Sequence, residues 1–183
     1  MLFLLRRRAL MGSDKGNYII KNGYGQNGYG ILTVSGRGDA HSTENYNSGG
    51  FSSSVNTYLA SGSQDCFLVA NGFNVDSATS TATLIDVTNY SKLVLKAAFV
   101  THTTVSPTFY AGLSTSASAT YNSFTKQFSS ISTQAAGSAK SVTYTLDLSS
   151  ITGSYYIKFV ARNTSSSVAY SHGVRIYDMY FEE

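Results

Sequence analysis

The stretch SKLVLKAAFVT, residues 91–101, sets Leu93, Leu95, Ala97 and Phe99 at every second position, so an extended chain carries all four on one face. SYYIKFVARN, residues 154–163, repeats the pattern, with Tyr155, Ile157, Phe159 and Ala161 opposing Tyr156, Lys158 and Arg162. In GVRIYDMYFE, residues 173–182, Val174, Ile176 and Tyr180 line up against Arg175, Tyr177 and Met179. Segments with one apolar and one wet face predict antiparallel sheets packed face to face.

Working outward, DCFLVA (65–70), TATLIDV (81–87), TFYAGLST (108–115) and KSVTYTLDLS (140–149) read as further strands at the spacing of an all-β domain. The N-terminal part, NYIIKNGYGQNGYGILTVSG (17–36), reads as strands over Asn17–Lys21 and Tyr29–Ser35. Asn22-Gly23 and Asn27-Gly28 supply the positive φ that tight turns need. A strand near Phe51–Val55 fits the polar stretch that follows, and LSSITGS (148–154) fits a single helical turn before Gly153. STSASATYNS (114–123) and SSISTQAAGSAKS (129–141) read as long loops or a polar edge, since strands resume after both. Pro107 stands at a strand start, where proline is tolerated. Eight to ten strands predict an antiparallel two-sheet β-sandwich of jelly-roll type over residues 16–183. Residues 1–15 are set apart as an extended N-terminal leader.

Composition agrees with that class. Of 183 residues, 42% are apolar and only 13% charged, about half the usual charged share, and hydroxyl, amide and glycine residues fill the difference. The net charge of +3 belongs to Arg6, Arg7 and Arg8; without them ten basic residues face ten acidic ones. Lys92, Lys96, Lys126, Lys140, Lys158, Arg162 and Arg175 are scattered singly, which argues against a nucleic-acid face. A secretory signal places its charges before a longer apolar run, and no run reaches the roughly 20 apolar residues that span a bilayer. The expectation is a protein with no membrane span, soluble or part of a soluble assembly.

Candidate chemistry is sparse. Cys66, alone in its chain and set in DCFLVA, reads as inert core and excludes an internal disulfide. His41, His102 and His172 have no metal-ligand spacing, the acidic residues form no local pair for glycoside hydrolysis, and no nucleophile elbow occurs. No catalytic residue, metal or cofactor is therefore expected, and the chain is read as a non-enzyme. Arg-Gly-Asp within GRGD (36–39) reads as a turn after a strand. Asn89 and Asn163 head glycosylation triplets that matter only in a secretory system. Tyr24, Tyr29, Tyr46 and Tyr58 lie in Gly/Asn-rich loops and form the candidate glycan contact, since a tyrosine ring offers an apolar face with a polar tip.

The leader LLRRRALM, the opening YIIKNGYGQNGYG and the closing TYTLDLSSITGSYYIKFVARN and GVRIYDMYFE resemble small virion-associated proteins of tailed phages and prophages of Gram-positive gut bacteria. That resemblance implies a carbohydrate-binding-module-like sandwich serving as a structural or adhesive part of tail, baseplate or head. It implies a virion location, or else a bacterial cell surface. In this reading Leu2, Phe3, Leu4 and Leu5 with Leu10 and Met11 dock on another virion structural protein, while Arg6, Arg7 and Arg8 pair with acidic groups. The expected function is a phage decoration protein anchored by its leader, homo-oligomeric, with a trimer among the arrangements. The alternative is a glycan-binding module or adhesin that contacts a host surface glycan.

Overall fold

The computed structural model describes residues 17–22, 24–25, 32–36, 56–57, 75–81, 83–101, 108–117, 122–135, 140–163 and 172–183. Their regular structure is β-strand with no helix: β1 (Asn17–Lys21), β2 (Tyr24–Gly25), β3 (Leu32–Gly36), β4 (Asn56–Thr57), β5 (Val75–Thr81), β6 (Ile85–Asp86), β7 (Lys92–Thr101), β8 (Thr108–Ser114), β9 (Lys126–Gln127), β10 (Thr133–Ala135), β11 (Val142–Asp147), β12 (Ser154–Asn163) and β13 (His172–Glu182).

These strands form two sheets. One runs β10-β7-β13-β1-β2, with β11 antiparallel to Lys92–Ala97 of β7 and the short β10 parallel to Phe99–Thr101 farther along the same strand. The other runs β4-β3-β5-β12-β8-β9, and β6 continues the pairing of β5 along β12. Four antiparallel pairs are nested: β1 with β13, β5 with β12, β7 with β11, and β8 with β9. The two inner faces meet in one core. Leu93, Leu95, Ala97 and Phe99 of β7 pack with Phe109, Ala111 and Leu113 of β8 and with Ile157, Phe159 and Ala161 of β12. The Phe99 and Phe109 rings, one from each sheet, lie 5.2 Å apart. This is the packing of a β-sandwich.

One end of the sandwich is tied by turns. Asp86 accepts from the backbone N–H and hydroxyl of Thr88, Val87 N–H donates to the Gly153 carbonyl, and Gly153 N–H donates to Thr88 Oγ1. Gly153 adopts φ of 100°, a conformation that favours glycine. LSSITGS forms a turn closed by Ile151 N–H on the Leu148 carbonyl. At the other turn, Asn22 has φ of 52° and joins β1 to β2 in the hairpin expected of Asn22-Gly23.

Several expectations are corrected. In β13 the pairing slips between Ile176 and Asp178, so the alternation changes phase at Tyr177: Met179 and Phe181 join Val174 and Ile176 inside, and Tyr180 turns outward. A matching slip in β1, between Tyr18 and Ile20, leaves Ile19 and Ile20 both buried and Tyr18 beside Tyr180. Among the described residues of TATLIDV, Thr81 and Ile85–Asp86 are strand; the longer strand precedes it, in the serine- and threonine-rich Val75–Thr81. Ala78 and Ser80 are buried there, small residues whose low hydropathy concealed a central strand. The stretch 129–141, read as a long loop or a polar edge, contains the short strand β10 at the end of its sheet, and β9 lies just before it. The polar face of β12 is not wet throughout, because Lys158 and Val160 are fully buried. Cys66, His41, His102, Pro107 and the strands read at 65–70 and near 51–55 lie outside the described residues, as do residues 29–31 and 37–39.

Candidate functional site

Leu2, Phe3, Leu4, Leu5, Arg6, Arg7, Arg8, Leu10 and Met11 lie outside the described residues, as do Tyr29, Tyr46 and Tyr58. Tyr24 is placed by its backbone, paired with Lys21 in the β1–β2 hairpin. Among the described residues a different tyrosine pair, Tyr18 and Tyr180, comes together.

Registers across four strands set Thr145 opposite Val94, Val94 opposite Tyr180, and Tyr180 opposite Tyr18. All four point away from the core, because their neighbours Leu146, Leu93, Leu95, Met179 and Phe181 occupy it. The Tyr18 and Tyr180 rings are 5.0 Å apart and inclined by 40°, both partly exposed, with Val94 as a buried floor beside them. Ion pairs border the row on each side along β7 and β13: Lys92 with Glu182 at 3.2 Å, and Lys96 with Asp178 at 3.8 Å. Asp178 also accepts the Asn22 backbone N–H, which holds its carboxylate at the hairpin. Lys21 Nζ stands 4.8 Å from the centre of the Tyr18 ring. Burial, with Glu182, Tyr18 and Asp178 nearby, raises the Tyr180 phenol above its usual range, so it stays protonated and a hydrogen-bond donor at neutral pH.

On the opposite sheet, Lys158 is the largest buried charged side chain among the described residues. Its ammonium donates to Ser123 Oγ at 2.6 Å and lies 4.8 Å from the centre of the Phe124 ring. Ser114 Oγ donates to the Ser123 carbonyl at 2.6 Å and receives the Ser116 backbone N–H. These contacts fold Ser123 and Phe124 back over the outer face of β8 and β12, and burial pushes the Lys158 pKa down. Its role in the described structure is to hold that segment against the sheet. Among the described residues no three histidine, cysteine, aspartate or glutamate side chains gather as metal ligands.

The aromatic row escaped sequence reasoning for a specific reason. Unbroken alternation assigned Tyr180 to the core face, and only the slip at Tyr177 turns it out. The available signal was Tyr180 standing between Asp178 and Glu182, two charged residues that a strand places on the same face as Tyr180, which marks that face as solvent-directed. No protein-family model matches the chain, and no curated protein or solved structure is found to resemble it.

Proposed function

We propose that this protein is a non-enzymatic structural or decoration component of a phage particle, attached through residues 1–15 and projecting residues 16–183 as a jelly-roll sandwich. The nested pairing of first strand with last supports the jelly-roll reading, since a long antiparallel ribbon rolled into two sheets pairs its strands in that order. One observation carries the anchoring role. β1, the first strand after the leader, is hydrogen-bonded to β13 on one side and β2 on the other, with Ile19 and Ile20 in the core. A pull on the leader is therefore borne by sheet hydrogen bonds and buried side chains together. The same arrangement suits a homo-oligomer whose copies are held by a partner in the particle.

Deletion of residues 1–15 tests this. The truncated protein is expected to keep the circular dichroism and melting temperature of the full chain yet to be missing from purified particles, counted by quantitative mass spectrometry. Incorporation of the folded, truncated protein at the full copy number would end the reading. A second reading, a glycan-binding module or adhesin acting on a virion or bacterial surface, is favoured by the outward Tyr18–Tyr180 pair.

A further inference from the structure

We infer that the outer edge of β11 pairs antiparallel with the same edge of a second copy of this chain, about a two-fold axis at Thr145, so that the sheet runs on from one body into the next. This names a contact for the homo-oligomer of the reading above and rests on that part of it.

The edge is open and its polarity is fixed. β7 bonds β13 on one side and β11 on the other, and among the described residues no strand lies beyond β11. Leu148 N–H donates to the Ser91 carbonyl at 2.7 Å, in the same register as the β11–β7 pairs. Hydrogen-bonded and non-bonded pairs alternate along an antiparallel ladder, so Val142, Tyr144 and Leu146 bond β7, while Thr143, Thr145 and Asp147 turn their N–H and C=O outward. Among the described residues no strand receives those outward groups. β11 also lacks the devices that guard an edge: it holds no proline, glycine or lysine, and its register with β7 runs without a slip. Val142, Thr143, Tyr144 and Thr145 are residues that favour strands.

A second copy is the occupant because this edge complements itself. An axis at Thr145 sets Thr145 opposite Thr145 and Thr143 opposite Asp147 of the other copy. Outward positions then meet outward positions, and each N–H faces a C=O, for about six hydrogen bonds. On the solvent face the rows across the joint read Val94–Thr145–Thr145–Val94 and Lys92–Asp147–Thr143–Lys96, with no like charges adjacent. On the other face Val142, apolar yet exposed, gains Leu146 and Leu148 of the second copy as neighbours. Asp147 carries the one charge on the strand, and Lys126 of β9 compensates it at 3.6 Å. That ion pair is solvent-facing and weakly held, so the lysine turns aside as the second strand arrives. A single strand pair buries less than the roughly 800 Å² a side of a stable interface, so the dimer depends on concentration.

Sedimentation equilibrium of the full chain between about 10 µM and about 500 µM is expected to show monomer passing to dimer. In the concentrated sample hydrogen exchange is expected to slow severalfold at the Thr143, Thr145 and Asp147 amides and to stay unchanged at Tyr144 and Leu146, a readout that needs no variant. T145K and T145E, at an exposed position, are each expected to weaken the dimer tenfold or more, and mixing the two to restore it, because residue 145 faces its own copy across the axis. A dimer that T145K does not weaken, or whose outward amides exchange as in the monomer, would overturn this edge and leave the homo-oligomer standing. A monomer throughout would overturn both, with the anchoring role still judged by its own deletion. A trimer would overturn the two-fold pairing. Loss of the slowed exchange on deletion of residues 1–15 would give the edge to the leader of another copy and overturn self-pairing.

Discussion

Gly112 lies in β8 where β9 crosses closest, paired with Gln127. A Cβ placed there would stand 2.1 Å from the Lys126 carbonyl oxygen and 2.6 Å from the Gln127 Cα, both backbone atoms that no rotamer change can remove. Ordinary carbon contacts begin near 3.5 Å, so Gly112→Ala requires β9 to retreat by about 1 Å or more. The retreat works against two backbone hydrogen bonds that fasten this edge, Thr125 N–H to the Leu113 carbonyl at 2.8 Å and Phe128 N–H to the Ala111 carbonyl at 2.9 Å. It also draws Phe128 out of the core, where its ring meets the edge of Tyr144. Overpacking and weakened bonds together are expected to cost about 2–3 kcal/mol. For a chain of this length that is a fall of about 4–12 °C in Tm, read by differential scanning calorimetry. Hydrogen exchange at the Phe128 and Thr125 amides is expected to accelerate more than at the central β12 amides, because the damage starts at an edge. Gly153→Ala is the control: the nearest atoms to its added Cβ belong to Tyr155, at 3.9 and 4.0 Å, and only its φ of 100° opposes the change. It is expected to cost about 1–2 kcal/mol. A Gly112→Ala protein with unchanged Tm and unchanged exchange at Phe128 would refute the reasoning.

Other perturbations probe the interior. The Tyr144 hydroxyl is buried without a hydrogen-bond partner among the described residues, in a ring cluster with Phe99 and Phe128. Tyr144→Phe removes an unsatisfied group and keeps the ring, so the protein is expected to gain about 1 kcal/mol, seen as a higher urea midpoint at constant m; a loss of stability would contradict it. For Lys158, burial favours the neutral amine in the folded state, while the unfolded chain titrates near the ordinary value of 10.5. Between the folded and unfolded pKa values the unfolded chain binds more protons, so the stability cost is full below the folded pKa and is relieved as pH rises toward 10.5. Lys158→Met is expected to abolish that rise, measured as urea midpoints at about pH 7 and about pH 9.5; a pH dependence identical to that of the unaltered protein would show that the ammonium is not desolvated.

The sequence by itself determined the all-β class and most strand positions, because alternation with period two is a local property. Leu93 to Phe99 in β7 and Ile157 to Ala161 in β12 are core-facing as their spacing requires. The Asn22 turn was legible for a similar reason, since its positive φ depends on the residue and its neighbour. Tertiary structure alone decided the rest. Whether Tyr180 faces the core or the solvent depends on one extra residue at Tyr177, and a slip in register is imposed by the partner strand rather than encoded in the alternation. Whether Lys158 is wet depends on Ser123 and Phe124, 34 or more positions away along the chain, folding over its sheet. The outward row exists only where separate strands bring Thr145, Val94, Tyr180 and Tyr18 side by side, and no local reading of any of those strands contains it.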